Sequence, residues 1–230
     1  MQALFERLKP ITSKVAFIKA DINQIVEKFL EWQSPLIAEH KNSFERTSIN
    51  HTLENALLRL CPLTTVELRK YLFIPTNSPW VAFFDNGHMG TDRTAPEVLS
   101  KMLNTECVYV VCDADTGETL LDIYGKNSSA ETDLIRSIAV IKEGGWKFYQ
   151  YGTPLPFEDL EKYKARLIKN RFNLSMLNDY LKKFSIDIFN ETFYCPDTAM
   201  LLSKSGPKFE ATVELTLQQA QRFFHLLRTN

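Results

Sequence analysis

Between Asp85 and Asp92 the chain sets two carboxylates, an imidazole, an amide, a hydroxyl and two glycines directly behind the apolar run Trp80-Val81-Ala82-Phe83-Phe84. Two converging carboxylates can hold a divalent cation through oxygen, and a carboxylate beside an imidazole can share general acid–base work. Glycines at 87 and 90 would let backbone amides approach a ligand closely. The same residues also serve plain architecture. Asn86-Gly87 is a common turn pair, and Asp92 is placed to cap a segment leading to Thr94. A strand-to-helix loop needs this chemistry merely to turn, so the turn-and-cap reading is favoured. Asp85, Asn86, His88, Thr91 and Asp92 form the candidate binding loop. No catalytic residue, metal ligand or cofactor is assigned.

Other chemistry-bearing residues read more plainly. Asp113-Ala114-Asp115-Thr116-Gly117 has the opening of a calcium loop, but strands flank it and Gly117 stands where a further ligand belongs, so it reads as a hairpin turn. Cys61, Cys107, Cys112 and Cys195 show neither a Cys-x-x-Cys pair nor zinc-ligand spacing with histidine. Cys107 and Cys112 lie five apart on one strand-like run and point to opposite faces, which argues against a local disulfide. Nothing near Cys195 in sequence would lower its pKa, so it reads as structural. His40, His51, His88 and His225 are scattered, and His225 sits beside Phe224 near the end of a C-terminal helix. Lys204-Ser205-Gly206-Pro207 lacks the glycine that a phosphate loop needs ahead of the lysine, and reads as a turn.

Composition excludes some function classes. Charge is balanced, with 27 basic against 28 acidic residues, and no basic stripe exists to release counterions from a nucleic acid. No apolar run is long enough to span a bilayer, and the N-terminal residues lack a secretory pattern, so a cytoplasmic protein with reduced thiols is expected. Phenylalanine, at 16 residues against 8 glycines, predicts a rigid aromatic interior.

The elements follow from periodicity. Val15 to Ile18 reads as a strand. Asp21 caps a helix with Gln24 at the capping-box position, ending near Ser34-Pro35. A short helix over Leu53 to Leu60 stops at Cys61-Pro62. Glu67 to Pro75 and Trp80 to Phe84 read as strands, and Thr94 with Glu97 predicts a capping box. Cys107–Cys112 with Thr119–Tyr124, and Leu134–Ile141 with Trp146–Tyr151, form two hairpins of a four-stranded antiparallel meander. Thr153-Pro154-Leu155-Pro156 marks a bend or a sub-domain boundary. Phe157 to Ile168 then reads as a charged helix, with a solvated face on which Tyr163 and Arg166 are candidate interface residues. Asn173 leads a clear helix through Phe184. Phe209 to Leu215 alternates like a strand, and Thr216 with Gln219 caps a last helix running through Leu227.

The pattern Trp-x-Ala-x-Phe-Asp-Asn-Gly-x-x-Gly-Thr-Asp at 80 to 92 resembles one found in a family of uncharacterised bacterial proteins. Phe29-Leu30-Glu31-Trp32-Gln33, Arg171-Phe172 to Tyr180, and Ile186-Asp187-Ile188-Phe189 belong to the same resemblance, which spans about residues 15 to 203. It implies a standalone bacterial protein and brings no activity or catalytic residue with it.

The expected fold is a single α+β domain over residues 1–230, its antiparallel sheet built around 67–151, with helices from both ends of the chain packed on one face. The expected function is a non-catalytic protein-binding module, in concrete form an immunity-type or accessory protein acting on a toxin or effector. The partner would be a protein, not a nucleic acid or a membrane. The rival is a small-molecule or metal-dependent enzyme or sensor using Asp85, His88 and Asp92. Convergence of those side chains in a concave pocket would favour the rival; an exposed apolar patch would favour the binder.

Overall fold

Strand formers along the chain assemble into one sheet wider than the predicted meander. A computed structural model describes residues 3–113, 115–126 and 133–226. Ala114 of the hairpin turn and Leu227 of the last helix lie outside the described residues. The first half of the chain runs α1 (Ala3–Arg7), β1 (Lys14–Ile18), α2 (Ile22–Glu39), β2 (Ser43–Ile49), α3 (Leu53–Leu58), β3 (Leu63–Thr64), β4 (Lys70–Pro75), β5 (Val81–Asp85) and α4 (Thr94–Leu103). The second half runs β6 (Cys107–Asp113), β7 (Glu118–Tyr124), β8 (Leu134–Lys142), β9 (Trp146–Tyr151), α5 (Leu174–Lys183), β10 (Ala199–Ser205), β11 (Glu214–Leu215) and α6 (Leu217–Phe223). Nine strands form the sheet in the order β2-β10-β4-β5-β1-β6-β7-β8-β9, and β11 pairs with β3 separately. Every neighbouring pair in the large sheet is antiparallel. The fold class is α+β.

Both faces of this sheet are covered, not one. On β1, Val15 and Phe17 point into one core and Ala16 and Ile18 into another, as the two-residue strand period requires. α2 and α4 close the second core, where Phe29 meets Tyr71 and Phe73 with centroids 4.6 and 5.6 Å apart. Residues of α1, α3, α5 and α6 close the first. Cys112 sits in the first core and Cys107 in the second, and all four cysteines are free.

Four elements depart from the sequence reading. Of the strand expected over Phe209 to Leu215 only Glu214–Leu215 forms, because the Phe209 and Val213 N–H groups donate instead to the Glu67 carboxylate and the Thr65 hydroxyl, at 3.2 and 3.0 Å. α2 runs through Pro35 to Glu39. The carbonyl that proline cannot bond, that of Glu31, instead accepts the Ser34 hydroxyl at 3.0 Å. The Thr94–Glu97 capping box does not form, because Thr94 already lies inside α4; the Asp92 carboxylate accepts the Thr94 N–H at 2.7 Å in its place. Residues 157–168 make turns, with 3₁₀ turns at Lys162–Lys164 and Ile168–Asn170, rather than a helix. Their polar groups are drawn into tertiary contacts: Glu158 turns inward onto Arg136 and the Asp159 N–H donates to Tyr180 Oη at 2.7 Å. No helix among the described residues is long and apolar enough to cross a membrane.

Candidate functional site

The loop that carries the most chemistry in sequence is held from within by its own polar residues. Asp85 closes β5 and is fully buried. Its Oδ1 accepts the Gly87 N–H at 2.8 Å and its Oδ2 the Asp92 N–H at 2.7 Å, so one carboxylate draws both ends of the turn together. Burial pushes the Asp85 carboxyl up to about 7; the two N–H donors and the Lys14 ammonium pull the other way, and the Asp92 carboxylate adds to the rise.

Asn86 is equally committed. Its Oδ1 accepts the N–H groups of Arg69 and Lys70 at 2.9 and 3.0 Å, and its Nδ2 donates to Pro62 O at 2.9 Å. Its backbone carbonyl takes the Thr64 N–H at 2.8 Å, and Thr64 O takes the His88 N–H at 2.9 Å, which zips the loop onto β3. Gly87 is required by crowding: a Cβ there would stand 2.8 Å from Gly90 O. Gly90 is required by its φ of 85°.

His88 is half-buried, with Nδ1 3.2 Å from Thr64 O and its ring 5.8 Å from that of Phe224. A carbonyl can only accept, so the proton is assigned to Nδ1. Thr91 is buried; its carbonyl accepts Tyr109 Oη at 2.9 Å, and its own hydroxyl has no hydrogen-bond partner among the described residues. Asp92 is exposed and caps α4. The loop therefore spends Asp85 and Asn86 on backbone groups. No group of three His, Cys, Asp or Glu residues placed to hold a metal ion occurs among the described residues.

What the loop builds is a surface. It lines a cleft of about 360 Å³ together with Thr64, Val66, Leu68, Lys14, Arg93 and Tyr109. A second cleft of about 210 Å³ shares Val66, Leu68 and Asp92 with the first and adds Leu36 and Phe209. A third, of about 190 Å³, shares Lys14 and Met89 and adds Val111 and Phe224. Val66 and Met89, which line these clefts, are 57 and 54% exposed, and Phe223, 66% exposed, lies beside the loop with its ring 6.3 Å from that of His88. The larger cleft of about 410 Å³ lies at the other end of β5, around Trp80, where Lys19 is paired with Glu106 and Asp21 caps α2; no reactive groups converge there.

The predicted interface pair is separated by burial. Tyr163 is enclosed, its hydroxyl 2.9 Å from Glu158 Oε2 and 3.2 Å from Tyr180 Oη, with its ring 5.2 Å from Phe148. Its phenol serves a buried carboxylate, so it cannot be a surface contact. Arg166 is exposed. Lys14, Tyr109 and Val66 line the clefts and were not flagged by the sequence. A lone lysine heading a strand gives no signal, whereas Val66, an apolar residue within a polar loop, does. No protein-family model, curated protein or solved structure matches this chain.

Proposed function

We propose that this chain is a protein-binding module that docks its partner along the track from Phe209, past Val66 and Met89, to Phe223. The observation that carries this reading is the continuity of three clefts through shared residues, with Val66 and Met89 among their linings left more than half exposed and Phe223 exposed beside His88. A groove of that kind suits an amphipathic segment of another protein laid along it. The rival enzyme reading loses support because Asp85, its central carboxylate, has both oxygens bonded to backbone N–H groups. An immunity-type or accessory role, in which the partner is a toxin or effector, is the concrete form of the proposal.

Val66→Glu, Met89→Glu and Phe223→Glu test it. The tagged full chain is cross-linked in its native cells, the recovered partner is purified, and its affinity is measured calorimetrically for wild type and variants. The expected result is a wild-type complex with a negative heat-capacity change, lost in all three variants at unchanged melting temperature. Undiminished binding by the three variants refutes the reading.

A further inference from the structure

The nine-stranded sheet ends in two edge strands, and they are not alike. β2, at one edge, carries Glu45 and Arg46 at its middle, and edge charges of that kind guard against pairing with another chain. β9, at the other, reads Trp146-Lys147-Phe148-Tyr149-Gln150-Tyr151, strand formers with one lysine, no proline and an unbroken register against β8. A strand paired on one side only turns every second N–H and C=O outward, and no backbone hydrogen bond leaves β9 on its outer side among the described residues. Its two faces are also unequal. Trp146 and Phe148 pack against the first core, where the Arg171 guanidinium lies 5.8 Å from the Phe148 ring, and Gln150 Oε1 is held by Arg136. On the opposite face Lys147, Tyr149 and Tyr151 stand in solvent, the tyrosines 46 and 49% exposed. Lys147 meets Glu143 at 3.2 Å, an exposed pair that contributes little.

That exposed face is complementary to itself. Along β9 it runs Lys147, Tyr149, Tyr151; along an antiparallel copy it runs Tyr151, Tyr149, Lys147. Residues directly opposite in an antiparallel pair share a face. A two-fold axis through Tyr149 therefore sets tyrosine against tyrosine at the centre and each Lys147 against Tyr151 of the other copy. An aromatic pair and an ammonium over a ring both stabilise such a contact, and the two lysines stay roughly 13 Å apart along the strand. An axis at Lys147 would oppose like charges, and one at Phe148 would leave Tyr151 opposite Gly145. We propose that β9 is a dimer edge, at which two copies of this chain pair antiparallel about Tyr149 and join their nine-stranded sheets into one. The pairing uses no residue of the three clefts near Met89 and is independent of the docking reading.

Sedimentation equilibrium of the full chain in reducing buffer reads the dimer directly. Wild type is expected to show a concentration-dependent monomer–dimer equilibrium. Tyr149→Lys, at a solvent-facing position, should keep the wild-type melting temperature and weaken the dimer at least about tenfold, since it opposes two lysines across the axis. Cysteine cross-linking checks the register, with wild type as the control for native thiols. Tyr149→Cys and the double variant Lys147→Cys/Tyr151→Cys are expected to form disulfide-linked dimers on mild oxidation, whereas Lys147→Cys alone is not. A chain that stays monomeric at every concentration overturns the pairing and leaves β9 to an extended segment of another protein. A dimer that survives Tyr149→Lys undiminished, fails to link through Tyr149→Cys, or links through Lys147→Cys alone places the contact elsewhere and overturns it as well.

Discussion

Arg136 and Glu158 make the sharpest stability test, because the structure gives every partner each would abandon. Arg136 Nε and Nη2 donate to Glu158 Oε1 and Oε2 at 2.9 and 2.6 Å, and both side chains are essentially inaccessible, at 1 and 0%. Arg136 also donates to Tyr151 O and Gly152 O at 2.9 Å and to Gln150 Oε1 at 3.1 Å. Glu158 in turn accepts the Leu155 N–H at 2.8 Å and the Tyr163 hydroxyl. Removing one partner of a buried pair costs ~3–5 kcal/mol, because the other charge is left uncompensated. Glu158→Gln keeps the shape and one acceptor, so the lower part of that range is expected. Arg136→Met also strands two carbonyls and belongs at the upper end. The double variant removes both charges and should cost about 2–3 kcal/mol less than the sum of the singles. For a chain of this size each kcal/mol moves the melting temperature by about 2–4 °C, so the single variants should melt roughly 6–20 °C lower. Urea unfolding followed by circular dichroism and tryptophan fluorescence gives the free energies. Single variants costing under about 1 kcal/mol, or strictly additive losses, would refute a mutually dependent ion pair tying β8 and β9 to the 152–163 connection.

Trp80→Ala should cost ~3–5 kcal/mol, since the indole is buried edge-on against Phe184 and donates Nε1 to Phe184 O at 2.8 Å; a nearly unchanged urea midpoint would contradict this. Asp85 holds its proton up to about 7 in the folded chain against an ordinary 3.8, so the folded state binds more protons in between and stability falls as pH rises through that window. Asp85→Asn lacks that slope, and the melting temperature of wild type relative to the variant should therefore decline from about pH 4 to pH 7; a relative gain would overturn the assignment. Asp92→Ala should lose ~0.5–2 kcal/mol with the α4 cap, and added Mg²⁺, Mn²⁺ or Zn²⁺ should move neither its melting temperature nor that of wild type; a metal-dependent rise confined to wild type would restore the ion-site reading. Native mass spectrometry should find four free thiols at Cys61, Cys107, Cys112 and Cys195, and a loss of hydrogen at any pair would count against a reducing compartment.

Local signals were legible wherever the partner is local. Asp21, Asn173 and Thr216 cap their helices, and the Thr216–Gln219 box forms with both of its bonds. The β6–β9 meander follows from alternation and turn residues alone. What stayed hidden depends on distant chain. β2 and β10 pair Thr47 with Leu201, and neither strand alternates clearly enough to announce a partner so far away. The 157–168 segment has helical charge spacing, yet Glu158 finds a better partner in Arg136 and the helix is forgone. Pro35 ends no helix because the adjacent serine supplies the missing donor. In the loop, Asp92 as a cap was readable, whereas the burial of Asp85 depends on where β1 and β4 flank β5, which the sequence does not state.

Within the 85–92 loop, the polar residues and the exposed apolar residue do different things. A buried carboxylate and a buried amide are costly unless every lone pair and N–H is matched. Here the matching groups are backbone atoms of the loop itself and of its neighbours at Pro62, Arg69 and Lys70. Those bonds fix the turn so firmly that Met89 at its tip is held out in solvent and Gly90 lies flat against the lysine of β1. Had Asp85 and Asn86 been free to do chemistry, they would not have been free to hold that shape. The residues most like an active site in type are therefore the frame. On the docking proposal, the surface offered to a partner is made of the side chains which that frame leaves exposed.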